Sequence, residues 1–176
     1  MSEHPVAELT RLVDALAEDT QPPTSVALSS LGEQMAAIFG VKPDEVAILA
    51  LNRKEKFLRF VIPEKLQAIG TIPLTSTTAL AARTARVSRA EVINNFTATR
   101  HVSVFEGVPL GREGELIHKI MSAPVVADGK VLGVVQISRK GRSPSEAGPD
   151  FTQKDLRELV SLSGVLGRFL KLFPVT

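Results

Sequence analysis

An Asp-Gly pair at positions 128–129 lies between two apolar runs, Ala123 to Ala127 and Val131 to Ile137, and no other feature restricts the fold of this chain as much. Both central residues of a two-residue type I′ turn need φ > 0, which Asp tolerates and Gly adopts without penalty. The stretch IHKIMSAPVVADGKVLGVVQISRK, Ile117 to Lys140, therefore predicts a β-hairpin. On its second strand, strict alternation puts Val131, Val135 and Ile137 on one face and Leu132 and Val134 on the other. Aliphatic side chains on both faces mark a strand covered on both sides, so the hairpin is expected at the centre of a sheet.

The chain of 176 residues, 44% hydrophobic and 23% charged, suits one domain with one good core and helical extensions. Its 21 basic and 19 acidic residues nearly cancel to +2. So small a net charge produces no field to gather nucleic acid, and without Trp or Tyr only eight Phe remain for base stacking. Nucleic acid is not an expected partner. Cysteine is absent, which removes disulfides, thiolate zinc sites and cysteine nucleophiles. The N-terminal stretch is studded with Glu3, Glu8, Asp14, Glu18 and Asp19, so it reads neither as a signal peptide nor as a membrane span, and a cytoplasmic location is expected.

In chain order, Val6, Leu9, Val13 and Leu16 recur at three- and four-residue spacing from Pro5 to Asp19, predicting a narrow-striped helix. With Pro22-Pro23 after it, this helix is expected to form an extension over residues 1–21, apart from a main domain over 22–176. A second helix is predicted from Ser25 to Phe39, capped by Thr24 or Ser25 and closed at Gly40. Glu45 to Leu51 and Phe57 to Ile62 read as paired strands, an irregular stretch runs to Pro73, and Ser76 to Arg86 reads as a helix. The span from Val87 to Leu116 holds at most a short strand and otherwise a long loop, a length uncommon unless the loop covers something. After a polar connection over Gly141 to Asp150, one long helix is expected from Phe151 to Phe173. Thr152 and Asp155 form a capping-box pattern, and Phe151 with Leu156 a hydrophobic staple. Its stripe of Leu156, Leu159, Ser163, Leu166, Leu170 and Phe173 has the spacing of a two-helix seam, with Gly164 and Gly167 beside it.

This order of elements, together with APVVADGKVLGVVQISRK followed by DFTQKDLRELVSLSGVLGRFL, resembles the GAF domains, a family of small-molecule sensor domains, over roughly Ser25 to Leu172. The resemblance implies an α+β fold of the PAS-related kind: an antiparallel sheet of about six strands, helices against one face, and a ligand pocket on the other roofed here by about Arg89 to Leu116. Many cyclic-nucleotide-binding members carry Asn-Lys after the central hairpin, then Phe, three residues and Asp-Glu. Here Ser138-Arg139-Lys140 stands at the pair, so Lys140 matches and the Asn does not; Phe151 and Asp155 match, but Leu156 replaces the Glu. Staple and capping box account for Phe151 and Asp155 equally well, so cyclic nucleotides are not favoured. Covalent bilin attachment and sulfoxide reduction, as the family performs them, use cysteine and are excluded here. The cofactor, if any, is left unassigned.

Arg100, His101, Ser103 and Glu106 in the long loop combine a fixed cation, an imidazole, a hydroxyl and a carboxylate, a set able to orient a small polar or anionic ligand or simply to face water. Arg83 and Arg86 could reach the same space or complement their helix's C-terminus. His118 could serve as a ligand or base, or pack beside its strand; with only His4 and His101 besides, histidine alone builds no metal site. No nucleophile elbow or phosphate loop is present. Val6, Leu9, Val13 and Leu16 with Leu159, Leu166 and Leu170 are expected to form a homodimer interface. The expected function is thus sensing of an unidentified small molecule, passed through the terminal helices to a partner subunit or a separate output protein. The alternative is an interaction module whose pocket is plugged by Phe96, Val102, Val104 and Phe105; an enzyme is the least supported class.

Overall fold

The computed structural model describes residues 3–18, 24–68, 70–96 and 116–172. The elements are α1 (Glu3–Glu18), α2 (Ser25–Phe39), β1 (Val46–Asn52), β2 (Phe57–Ile62), β3 (Thr71–Pro73), α3 (Leu80–Val87), β4 (Glu91–Ile93), β5 (Leu116–Ala127), β6 (Lys130–Gly141), α4 (Pro144–Ala147), α5 (Gln153–Ser161) and α6 (Ser163–Leu170). The strands form one antiparallel sheet in the order β3-β2-β1-β6-β5-β4. The β5–β6 hairpin turns at Asp128 and Gly129, with φ of 55° and 74° as a type I′ turn requires, and β6 lies between β5 and β1. The hairpin is the centre of the sheet.

Its alternation is not strict. Val125 pairs with Gly133 and Val126 with Val131, so Leu132 is the extra residue of a β-bulge. The bulge reverses the two side chains beyond it. Val131 packs with Val134 on one face, and Leu132 with Val135 and Ile137 on the other, the opposite of strict alternation. Gly133 is needed here because a Cβ would sit 2.0 Å from the Leu49 carbonyl oxygen of β1 and 2.6 Å from Leu170 Cδ1.

One face carries α1, α2, α5 and α6 on a core that includes Leu9, Leu31, Met35, Ile48, Val135, Ile137 and Phe169. Thr24 caps α2, its hydroxyl accepting from Ala27 N–H at 3.2 Å, and Gly40 ends it in the left-handed region. The first helix is not a separate extension. Leu9 and Val13 are fully buried in this main core, with Val6 and Leu16 packed against it, and Asp14 pairs with Arg168 of α6 at 3.1 Å.

The last helix is not continuous either. It breaks at Leu162, and Ser163 then bonds the β5 backbone, its hydroxyl accepting from Val126 N–H at 2.9 Å and donating to Val126 O at 3.3 Å. Leu159, Leu166 and Leu170 are buried in the chain's own core, and Gly167 lies against Ala127 of the hairpin. All seven residues expected at a subunit interface thus pack in or against the core of one chain. A three-and-four stripe reports burial without saying whose surface does the burying.

The opposite face is covered by α3. This helix starts at Leu80, not Ser76, because the Ser76 hydroxyl accepts from Ala79 N–H at 3.1 Å and holds the preceding residues in a turn. The irregular stretch contains β3, and the short strand in the long connection is β4. No helix among the described residues is long and apolar enough to cross a membrane.

Candidate functional site

On the α3 face the sheet is lined by Leu49, Leu58, Phe60 and Val134, and the helix lays small residues, Ala81, Ala82 and Ala85, against them. Small side chains let the helix backbone approach closely and leave little room beneath it. Phe96 is 1% exposed and packs with Leu80 and Ile120. The other three expected plugging residues, Val102, Val104 and Phe105, lie outside the described residues.

A polar chain runs through this layer. Gln136 Nε2 donates to Ser122 Oγ at 3.2 Å, Ser122 and Thr84 hydroxyls are 2.7 Å apart, and Thr84 Oγ1 donates to Leu80 O at 3.0 Å. Each hydroxyl has one proton, so Thr84's bond to Leu80 fixes Ser122 as the donor to Thr84 and leaves the Ser122 oxygen to accept from Gln136. All three side chains are buried, and α3 is locked to β5 and β6. The sequence signal was available: Ser122 and Gln136 interrupt the apolar runs from Ile120 to Ala127 and from Val131 to Ile137.

Beside the C-terminal end of α3 an open groove of about 430 Å³ is bounded by Arg83, Val87, Arg89, Glu91 and Val92 on one side and Gln153 and Leu156 of α5 on the other. Asn94 holds the two sides together: its amide donates to Phe151 O at 3.0 Å and accepts from Phe151 N–H at 2.9 Å. Arg83 donates through Nε and Nη2 to Glu91 Oε1 at 3.1 and 2.9 Å, with both side chains about one-third exposed. Arg86 instead binds loop carbonyls, those of Leu74 and of Ser76, the latter at 2.7 Å.

His118 is not part of this groove. It is buried on β5 with Nε2 2.9 Å from Gly141 O. Arg100, His101, Ser103 and Glu106 lie outside the described residues, so of the six expected ligand contacts the structure places Arg83 at the groove and His118 away from it. Arg89 and Gln153 line it without having been singled out, since an Arg in a loop and a Gln at a helix start have ordinary surface roles.

The residues shared with the cyclic-nucleotide pattern are committed elsewhere. Asp155 and Thr152 exchange capping bonds at 2.8 and 3.1 Å, Phe151 is buried beneath the Arg139 guanidinium at 4.7 Å, and Lys140 Nζ donates to Asp44 O at 3.0 Å. Among the described residues no group of three His, Asp or Glu side chains is arranged to hold a metal.

The family model for the GAF domain matches residues 9–168. The chain belongs to the GAF domain family. Solved structures agree on the fold. The GAF domain of an Acinetobacter phosphoenolpyruvate-protein phosphotransferase is 15% identical, with a TM-score of 0.64 over 94% of this chain and 92% of that one. A segment of a methyl-accepting chemotaxis protein is 13% identical, with a TM-score of 0.66 over 93% and 96%. A free methionine-R-sulfoxide reductase from Neisseria meningitidis, solved with its substrate, is 16% identical, with a TM-score of 0.61 over 96% and 89%. No curated protein sequence matches the chain. At these identities the likeness carries the α+β GAF fold and not a ligand. GAF domains are typically sensory or regulatory domains of signalling proteins.

Proposed function

We propose that this GAF domain senses a small polar or anionic molecule at the groove between α3, β4 and α5. The supporting observation is the groove itself, about 430 Å³ with Arg83 and Arg89 on its wall, within the size range of small-molecule sites. Arg83 is held ready by a carboxylate that a more strongly bound anion can replace, because a pair one-third exposed to solvent is worth little. Ligand entry would shift β4 against α5, and α5 leads directly into α6 and the main helical core. That path offers the signal to a second copy or to a separate output protein. Regulation is favoured over catalysis because, among the described residues, no nucleophile and base converge at the groove. The reductase neighbour adds no catalytic group, since this chain has no cysteine.

Thermal melting of the whole chain with cyclic nucleotides, amino acids, keto acids and other small carboxylates tests this. A ligand at one hundred times its Kd stabilises by about 2.7 kcal/mol, a rise of roughly 5–10 °C for a domain of this size. Burial of Phe96 and closure of the Thr84–Ser122–Gln136 chain favour a second reading, an interaction module with no small ligand on the α3 face. Uniformly flat melting across the panel would move the assignment to it.

A further inference from the structure

The chain from Gly148 to Phe151 leads into α5 as a strap, and three side chains fasten it to the sheet. Arg139 of β6 is the register partner of Lys119 of β5, and the pairing of Ile93 with Ile120 carries the row on to Asn94, the residue after β4. The three stand side by side across neighbouring strands. Lys119 is buried; its Nζ donates to Gly148 O and pairs with Asp150 at 2.9 Å. Gly148, at φ 109° and ψ −169°, has a backbone conformation that essentially only glycine adopts, and the strap there runs against the Arg139 side chain. Phe151 is held from two sides: Asn94 bonds both its N–H and its carbonyl, and its ring lies under the Arg139 guanidinium. These attachments are unequal. Freeing Lys119 would strand a buried charge, the costliest change of the three. Arg139 holds weakly: it reaches Gly40 O and Phe39 O at 3.3 and 3.4 Å, long for hydrogen bonds, its Nε is buried without a partner, and no carboxylate among the described residues pairs with it. The strap thus has a firm end at Gly148 and an end at Phe151 that shifts at less cost.

We propose that Asn94, Phe151 and Arg139 form a latch that carries a separation of β4 from α5 to the C-terminus of α2. The latch rests on the sensing reading only for what opens it: a molecule wedged between Val92 and Leu156 stretches the two Asn94 bonds that hold the groove's walls together. Phe151 then shifts beneath Arg139 while Lys119 keeps Gly148 in place. The guanidinium loses the ring that positions it, and the Phe39 and Gly40 carbonyls lose their cationic donor. Carbonyls at a helix C-terminus have no partner within the helix, so the last turn of α2 loosens. Because α2 packs on α1, the helical layer receives the change.

The test is amide hydrogen exchange, followed by NMR on the ¹⁵N-labelled whole chain without ligand, in the parent, Asn94→Ala, Arg139→Gln and the double variant. The Gly40 and Val41 N–H groups both bond Ala36 O and report the end of α2, while Val135 and Ile137 in the central strand report unfolding as a whole. Asn94→Ala should speed exchange at Gly40 and Val41 by roughly three- to tenfold beyond what the central strand accounts for, and by less than about twofold when added to Arg139→Gln. Should Asn94→Ala fail to fold, Asn94→Asp keeps the acceptor for Phe151 N–H, loses the donor to Phe151 O, and should act in the same direction. Exchange at Gly40 and Val41 that is unchanged, that rises only in step with Val135 and Ile137, or that rises equally with and without Arg139 overturns the latch. None of these results touches the sensing reading, and flat melting with every small molecule would leave the latch standing, so the two fail separately.

Discussion

The two faces of the sheet are covered in different ways. Four helices meet one face over an apolar core that draws on both ends of the chain, from Leu9 to Leu170. Among the described residues a single helix meets the other with alanines, a smaller apolar cluster and a buried hydrogen-bond chain. The difference separates two tasks. Close packing of large side chains on the first face makes one arrangement much better than any other, whereas alanines and directed hydrogen bonds hold α3 in register with less buried surface. Stability should therefore respond steeply on the helical face and gently on the α3 face.

Phe169→Ala is the largest expected effect. Phe169 is fully buried among the α6 and sheet residues of the main core, and replacing it leaves a cavity the rigid hairpin cannot close. A loss of about 3–5 kcal/mol is expected, measured as a fall in the urea midpoint at unchanged m-value. A loss under about 1 kcal/mol would show that the helical face is not the stability core and erase the contrast.

Thr84→Val comes next and probes the other face. Valine keeps the shape of threonine but removes the hydroxyl that accepts from Ser122, so a buried Ser122 proton loses its partner. The expected loss is about 1–3 kcal/mol. An unchanged urea midpoint would mean that the α3 face is held by its apolar contacts alone, making the two faces alike in kind.

Legibility in the sequence follows the same division. Asp128-Gly129, the caps at Thr24 and Thr152, and the two strand runs before Pro63 are local signals, and each element stands close to where its residues put it. Features set by tertiary contact were not legible. Leu132 bulges and Ser163 breaks the last helix because of partners far along the chain, and the stripe of α1 did not say that its cover was α2 and α6 of the same molecule. The candidate groove was half legible. Arg83 could be named because a cation near a roofed face has an evident use, while Gln153 and Leu156 reach the groove only because Asn94 fastens β4 to the start of α5.

Arg83→Gln should have the smallest effect on folding and the sharpest effect on binding. Its bonds to Glu91 are about one-third exposed, so their loss is screened and the unfolding free energy from urea titration should fall by no more than about 1 kcal/mol. Glu91 stays in β4, paired with Ser122 of β5, so the groove keeps its frame. A ligand that raises the melting temperature of the parent chain should raise that of Arg83→Gln by less than half as much if it displaces Glu91 from the guanidinium, and raising salt should reduce the parent's response in the same direction. Were the variant to lose several kcal/mol while its ligand response stayed intact, Arg83 would be a structural tie between α3 and β4, and the α3 face would carry stability where sensing is proposed.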